Sequence, residues 1–192
     1  MSDSSPWVFK VASEPWELEA VERLNYRTFV EEIPQHAANP SRLLSDRLLA
    51  QSTCYVCVAG DQLLGMVAIC GQRPFSLDTK LPDLDSYLPS HERPCEVRLL
   101  AVEPQHRRGP VFGGLLACLL RHAQRERFDL GLISATDRQE HLYQHLGFMP
   151  FGPPLGTPEA RYQGMYITWD RLVASTNLME QEGTGAGGWL PS

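Results

Sequence analysis

Residues 95–127 constrain this chain more than any other stretch. Cys95 to Val102 reads as a strand, the basic segment up to Arg108 as a tight turn, and Gly109 to Arg127 as a helix with Val111, Phe112, Leu115 and Leu119 facing inward. The pattern then repeats. Leu130 to Ala135 reads as a short strand, Asp137 to Leu146 as a helix, and Phe148 to Phe151 as the start of another strand. After a Pro/Gly loop over 152–160, Tyr162 to Trp169 reads as the last strand. Strand, helix, strand and helix in succession place at least one parallel pair in the sheet.

The first half is built differently. Ser13 followed by Glu14-Pro15 reads as a helix N-cap with proline at the helix start. Residues 16–32 carry Leu18, Val21, Leu24 and Phe29 at helical spacing, and that helix ends before Ile33-Pro34. A shorter helix is expected over 41–50. Cys54 to Ala59 and Leu63 to Cys70 form a hairpin around a turn at Gly60-Asp61-Gln62. Residues 71–94, with four prolines, read as a long loop of the kind that serves a function or is disordered. The whole is expected to be one domain over 1–175, followed by a disordered tail over 176–192 with Gly183, Gly185, Gly187 and Gly188.

Composition narrows the function. A net charge of −6 argues against nucleic acid as a partner. The positive charge is local, with Arg98, His106, Arg107, Arg108, Arg121, Arg125 and Arg127 inside thirty residues. Such a spot suits a small anionic ligand. No apolar run approaches the ~20 residues of a membrane span, and the polar N-terminus does not read as a signal peptide, so the expectation is a cytoplasmic protein. The five cysteines read as buried thiols; Cys54 and Cys57, three apart on a strand, point to opposite faces. His141 and His145 share a helix face without a third ligand at matching spacing, so no metal is expected.

The anion site itself is expected where the basic turn opens the long helix. Free amides and the helix dipole favour a phosphate or pyrophosphate there, with Arg107 and Arg108 adding charge. A plain strand–helix junction with two solvated arginines is the alternative reading. About thirty residues downstream, Tyr143 sits on a helix capped by Gly147.

Taken together, Val102-Glu-Pro104, Arg107 and Tyr143-Gln-His-Leu-Gly147-Phe148 resemble, in order and spacing, the motifs of the GNAT (GCN5-related N-acetyltransferase) superfamily. The resemblance covers roughly residues 8–172. It implies an α/β (α+β) GNAT fold, a mixed central sheet flanked by helices with two strands splayed at the donor site. It also implies N-acyl transfer from acyl-CoA or acetyl-CoA to a small-molecule amine, with no metal. The pantetheine arm would pair near Leu100, Ala101 and Val102, and the pyrophosphate would sit on Arg107, Arg108, Gly109, Val111 and Gly113. Glu96 would be the general base, its alternative being a salt bridge to Arg98. Tyr143 would protonate the leaving thiolate.

The glycine turn departs from the family pattern. Aligned on Arg107, its three glycine positions hold Arg108, Pro110 and Phe112. Pro110 brings no N–H, and Phe112 is bulky. A donor carried on acyl carrier protein, which lacks the adenosine part, fits such a turn. Asn25-Tyr-Arg-Thr-Phe-Val-Glu-Glu-Ile is similar to the N-terminal helix of the branch with acyl-homoserine-lactone synthases and N-acyl amino acid synthases, with Arg27 in the arginine's place. Arg27, Arg98 and Arg138 are the candidate substrate-holding cations, and an amino acid is a candidate acceptor. An acetyl-CoA-dependent N-acetyltransferase and a non-catalytic GNAT domain are the alternatives.

Overall fold

The computed structural model describes residues 6–158, 160–172 and 174. A seven-stranded mixed sheet runs in the order β1-β2-β3-β4-β5-β7-β6. The expected tail over 176–192 lies outside the described residues.

The edge strand β1 (Val8–Val11) was not expected; it pairs antiparallel with β2. Its Phe9 ring lies where a side chain on Gly114 would stand. Helix α1 (Pro15–Tyr26) is capped by Glu14, one residue later than expected. The Glu17 carboxylate accepts the amides of Ser13 at 2.9 Å and Glu14 at 3.1 Å, and pairs with Lys10 at 2.7 Å. The helix continues as a π-helical turn, Arg27–Glu32, and ends at Ile33.

No helix forms over 41–50. Apart from a 3-10 turn at Leu49–Gln51 the segment is irregular, with Arg42 left-handed at φ 53°. Its leucines have helical spacing, but its polar groups are claimed elsewhere. The Leu44 amide bonds the Glu22 carbonyl at 3.1 Å, Ser45 bonds the Glu22 carboxylate, and Asp46 pairs with Arg98.

Strands β2 (Thr53–Ala59) and β3 (Gln62–Cys70) form the expected hairpin around Gly60, whose φ of 58° suits the two-residue turn. Cys57 packs with Val111 and Leu115 of the helix over 110–126 on one face, and Cys54 with Val21 and Leu24 of α1 on the other. All five cysteines are free and buried.

The 71–94 segment is ordered by its own core. Phe75, Leu77, Leu81 and Leu84 pack on Leu130, Leu132 and Phe151. It leads into β4 (Pro94–Val102), then a 3-10 turn at Pro104–His106, and α2 (Pro110–Glu126) capped by Gly109. Strand β5 (Leu130–Thr136), helix α3 (Asp137–His145), β6 (Met149–Thr157) and β7 (Ala160–Thr168) complete the fold. The expected loop over 152–160 is strand up to Thr157. Pro153 and Pro154 are accommodated because β6 is an edge strand with a register break between Phe151 and Leu155.

Candidate active site

Strands β4 and β5 part company early. They are parallel partners at Pro94↔Leu130, Cys95↔Gly131 and Glu96↔Leu132, and no further. Beyond Glu96, the β4 edge that faces β5 has no strand partner among the described residues. A bulge sharpens the divergence: Leu99 and Leu100 lie between the residues that pair with Ala68 and Met66, and Leu99 is left-handed at φ 55°. The splay foreseen from the resemblance is therefore present, and Leu100 to Val102 stand along it.

Two cavities open at this point. One is a narrow apolar slot of about 60 Å³ between the sheet, α2 and the end of α3, walled by Phe112, Leu116, Leu120 and Phe128 among others. The other is a polar chamber of about 700 Å³ reached from the 71–94 loop and the 34–48 segment. Val97, Leu100, Ile133 and Tyr143 line both. Slot and chamber thus meet where the strands separate.

Glu96 and Tyr143 are brought to the same chamber. Glu96 is 1% exposed and fully engaged. Its Oε2 accepts the Ser76 amide at 2.8 Å and faces Arg98 Nε at 3.3 Å. Its Oε1 accepts the Ser76 hydroxyl at 2.7 Å and the Leu77 amide at 3.2 Å. The salt bridge to Arg98 exists, but the larger partner is the loop, whose turn over 76–77 the carboxylate fastens to β4. Tyr143 is buried in the α3–β5 cluster, and burial pushes its phenol up to about 12.

The candidate cations are mostly spent on the protein itself. Arg98 donates through both terminal nitrogens to Asp46, at 2.8 Å each. Arg27 pairs with Glu103. Arg107 donates Nε to the Val102 carbonyl at 2.9 Å and its terminal nitrogen to Glu32 at 2.7 and 2.8 Å. These two pairs tie the π-helical turn to the exit of β4, and both guanidinium groups face carboxylates of the protein itself. The side chain of Arg138 lies outside the described residues.

The turn keeps few free donors. The Gly109 amide is used by the His106 carbonyl at 3.1 Å, and Pro110 has none to give. Gly113 amide closes the first helical turn, which leaves Val111 and Phe112 as free donors. Arg108 beside them is exposed and makes no ion pair among the described residues. A side chain on Gly113 would meet nothing, whereas one on Gly114 would strike Phe9. The second glycine of the pair therefore serves β1 packing, while the first faces open space.

Sequence reading singled out none of Asp46, Ser76, Lys80, Ser134 and Tyr162 as site residues, all on the chamber wall, although Ser76 and Lys80 lie in the 71–94 loop marked as functional. Lys80 Nζ lies 4.5 Å from the Tyr162 ring centre. The Ser134 hydroxyl is buried and has no hydrogen-bond partner among the described residues; it lies two residues past Leu132, the last β5 partner of β4. These residues sit on loops or strand tails with no motif spacing; the one available signal was the proline-rich length of 71–94.

Among the described residues no group of three or more His, Cys, Asp or Glu gathers to hold a metal ion, and no helix is long and apolar enough to cross a membrane. Comparison with curated protein sequences gives no match. Solved structures give many. FeeM, an N-acyl amino acid synthase from uncultured soil microbes, superposes with a TM-score of 0.75 at 19% identity, over 92% of this chain and 98% of that one. The CoA-dependent acyl-homoserine lactone synthase BjaI, solved with SAM and isopentyl-CoA, gives 0.68 at 18% identity over 85% and 82%. An aminoglycoside 6'-N-acetyltransferase complexed with coenzyme A gives 0.60 at 12% over 84% and 96%. These likenesses establish the GNAT fold. The model of the N-acyl amino acid synthase FeeM family matches residues 20–169, most of the chain, and the protein therefore belongs to that family of acyltransferases.

Proposed function

We propose that this protein is an N-acyltransferase that moves an acyl chain from a pantetheine thioester to the amine of an amino acid. The observation that carries this reading is the shared wall of Val97, Leu100, Ile133 and Tyr143 between an apolar slot and a polar chamber. An acyl chain in the slot and an acceptor in the chamber would meet at the splayed strands, with the thioester between them. The unpaired edge of β4 at Leu100 to Val102 would bind the pantetheine amides.

The attacking amine must shed a proton as its nitrogen bonds the thioester carbon and the C–S bond breaks. Glu96 is saturated with donors, but one of them can turn over. Ser76 lines the chamber and its hydroxyl donates a hydrogen bond to Glu96; on taking a proton from the amine, it would pass its own to the carboxylate. Glu96 is thus the base through Ser76. Tyr143 acts on the departing sulfur. A free thiol ionises near 8.5, so a phenol held at about 12 is the weaker acid. It stabilises the thiolate by donating a hydrogen bond, and the thiolate takes its proton from solvent.

The donor is proposed to arrive on acyl carrier protein, with acyl-CoA as the second reading. Two turn amides and Arg108 suffice for one phosphate, whereas the pyrophosphate of CoA asks for more donors. The purified protein is to be incubated with one amino acid and either a long-chain acyl-CoA or the matching acyl carrier protein, and N-acyl amino acid measured by mass spectrometry. Product from acyl carrier protein at lower donor concentration supports the first reading. Product from CoA alone supports the second, and none from either overturns the acyltransferase assignment.

A further inference from the structure

We infer that Lys80 is the carboxylate-binding residue of the acceptor subsite and sets the preference for an amino acid over a simple amine. This deepens the functional reading above and rests on it. An amino acid carries its carboxylate one carbon from the amine, so the cation that holds it must stand in the chamber with Glu96 and Ser76. Arg98 does not qualify, because Asp46 and Glu96 occupy its guanidinium. Lys80 makes no ion pair among the described residues, and its Nζ sits over the Tyr162 ring at 4.5 Å on the chamber wall.

Its placement is built. The Lys80 amide bonds the Leu77 carbonyl at 3.1 Å and the Leu81 amide bonds the same carbonyl at 2.9 Å. Leu77 and Leu81 are both buried, and Thr79 Oγ1 donates to the Ser76 carbonyl at 2.8 Å. The turn that carries Lys80 is the turn that Glu96 anchors, so base and cation keep a fixed spacing. The ammonium lies within the field of Glu96, Asp46 and Arg98, and partial burial pulls its affinity for a proton below the ordinary lysine value. Its charged form gains from a carboxylate partner, which an acceptor amino acid brings and a decarboxylated amine does not.

The test compares wild type, Lys80→Met and Lys80→Arg on an amino acid and on the amine of the same side chain lacking the carboxylate. Lys80→Met is expected to raise KM for the amino acid about 10- to 100-fold, the range of a charge-assisted hydrogen bond, with kcat little changed and KM for the amine unmoved. Lys80→Arg restores part of the loss. An equal rise in KM for both acceptors, or none, overturns the assignment of Lys80 alone. An amino-acid-specific loss in Arg47→Met, with Lys80→Met silent, moves the subsite to Arg47 on the same chamber and also overturns it. Wild type that acylates neither acceptor overturns the acyltransferase reading, and the subsite with it.

Discussion

Ser76 and Glu96 are joined twice, the serine amide donating to one carboxylate oxygen at 2.8 Å and its hydroxyl to the other at 2.7 Å. The two bonds have separable consequences. The amide bond fastens the 71–94 loop to β4, while the hydroxyl is the one donor that can exchange its proton with a chamber occupant. Ser76→Ala keeps the first and deletes the second. It is expected to lower kcat by about 10²-fold with KM unchanged, the usual size of a lost acid–base step, at a stability cost of about 1 kcal/mol. Steady-state kinetics beside a thermal melt checks both numbers. Full kcat in the alanine variant would dispose of the relay.

Tyr143 gives a second, independent readout in its pH behaviour. Its phenol ionises at about 12 in the folded protein, against 10.0 for an ordinary tyrosine. A raised folded value means that the neutral phenol contributes stability in full below pH 10.0, and that this is lost as pH climbs towards 12. Wild-type melting temperature is therefore expected to fall between those limits, and Tyr143→Phe to fall less. The same variant should lose about 10-fold or more in kcat if the hydroxyl donates to the departing sulfur. Its rate profile below pH 10 should keep the wild-type shape, because the phenol does not titrate there.

At the turn before α2 the two neighbouring arginines should behave differently. Arg107 is held by Glu32 and the Val102 carbonyl, and Arg108 is exposed. Arg108→Ala is expected to weaken donor binding several-fold, and more so at low salt, as a screened surface charge would. Arg107→Ala and Glu32→Ala should show a coupling below about 1 kcal/mol in a double-mutant cycle, since the pair is half exposed. Calorimetric titration at two salt concentrations separates the roles, and a larger donor effect from Arg107 than from Arg108 would reverse them.

What was legible in the sequence were the parts carried by periodicity. The strand–turn–helix from Cys95 to Arg127, the α3 helix with Tyr143, and the β2–β3 hairpin all repeat at one spacing over many residues. The 41–50 segment misled because its leucines are helical in spacing while Leu44, Ser45 and Asp46 are tied to Glu22 and Arg98, partners distant in sequence. β1 was missed because four residues at an edge carry too little pattern. That Glu96 and Tyr143 share one chamber was legible, because both sit on regular elements. The ion pairs of Arg107 and Arg27 were opaque, since a motif tells where an arginine stands but not which carboxylate reaches it first.

Glu17 carries an acid-sensitive part of the fold. Its carboxylate is buried, which favours protonation, yet the Lys10 ammonium and the Ser13 and Glu14 amides outweigh burial and hold it below the ordinary value of 4.5. The depressed folded value contributes stability above pH 4.5 that is lost as pH falls through it. Glu17→Gln should therefore cost about 2 kcal/mol at pH 7 and progressively less in acid. Urea unfolding at pH 7 and pH 4 measures the convergence; parallel curves would assign the effect to packing instead.

Phe112 connects the altered turn to chain length. In the family pattern its position is a glycine or alanine; here the ring stands in the wall of the apolar slot and joins the cluster of Ile133, Tyr143 and Met165. On the proposed reading, an acyl chain entering from the splay would run past this ring towards Leu116 and Leu120. Truncating it removes bulk from the wall without touching the chamber, so Phe112→Ala should shift the preferred acyl chain upwards by several carbons while KM for the amine stays constant. Each added methylene that finds apolar wall gains about 0.8 kcal/mol, which is enough to invert the ranking between neighbouring chain lengths. A competition assay with mixed acyl donors, read by mass spectrometry, gives that ranking directly. An unchanged ranking in Phe112→Ala would place the acyl chain elsewhere and leave the slot as core.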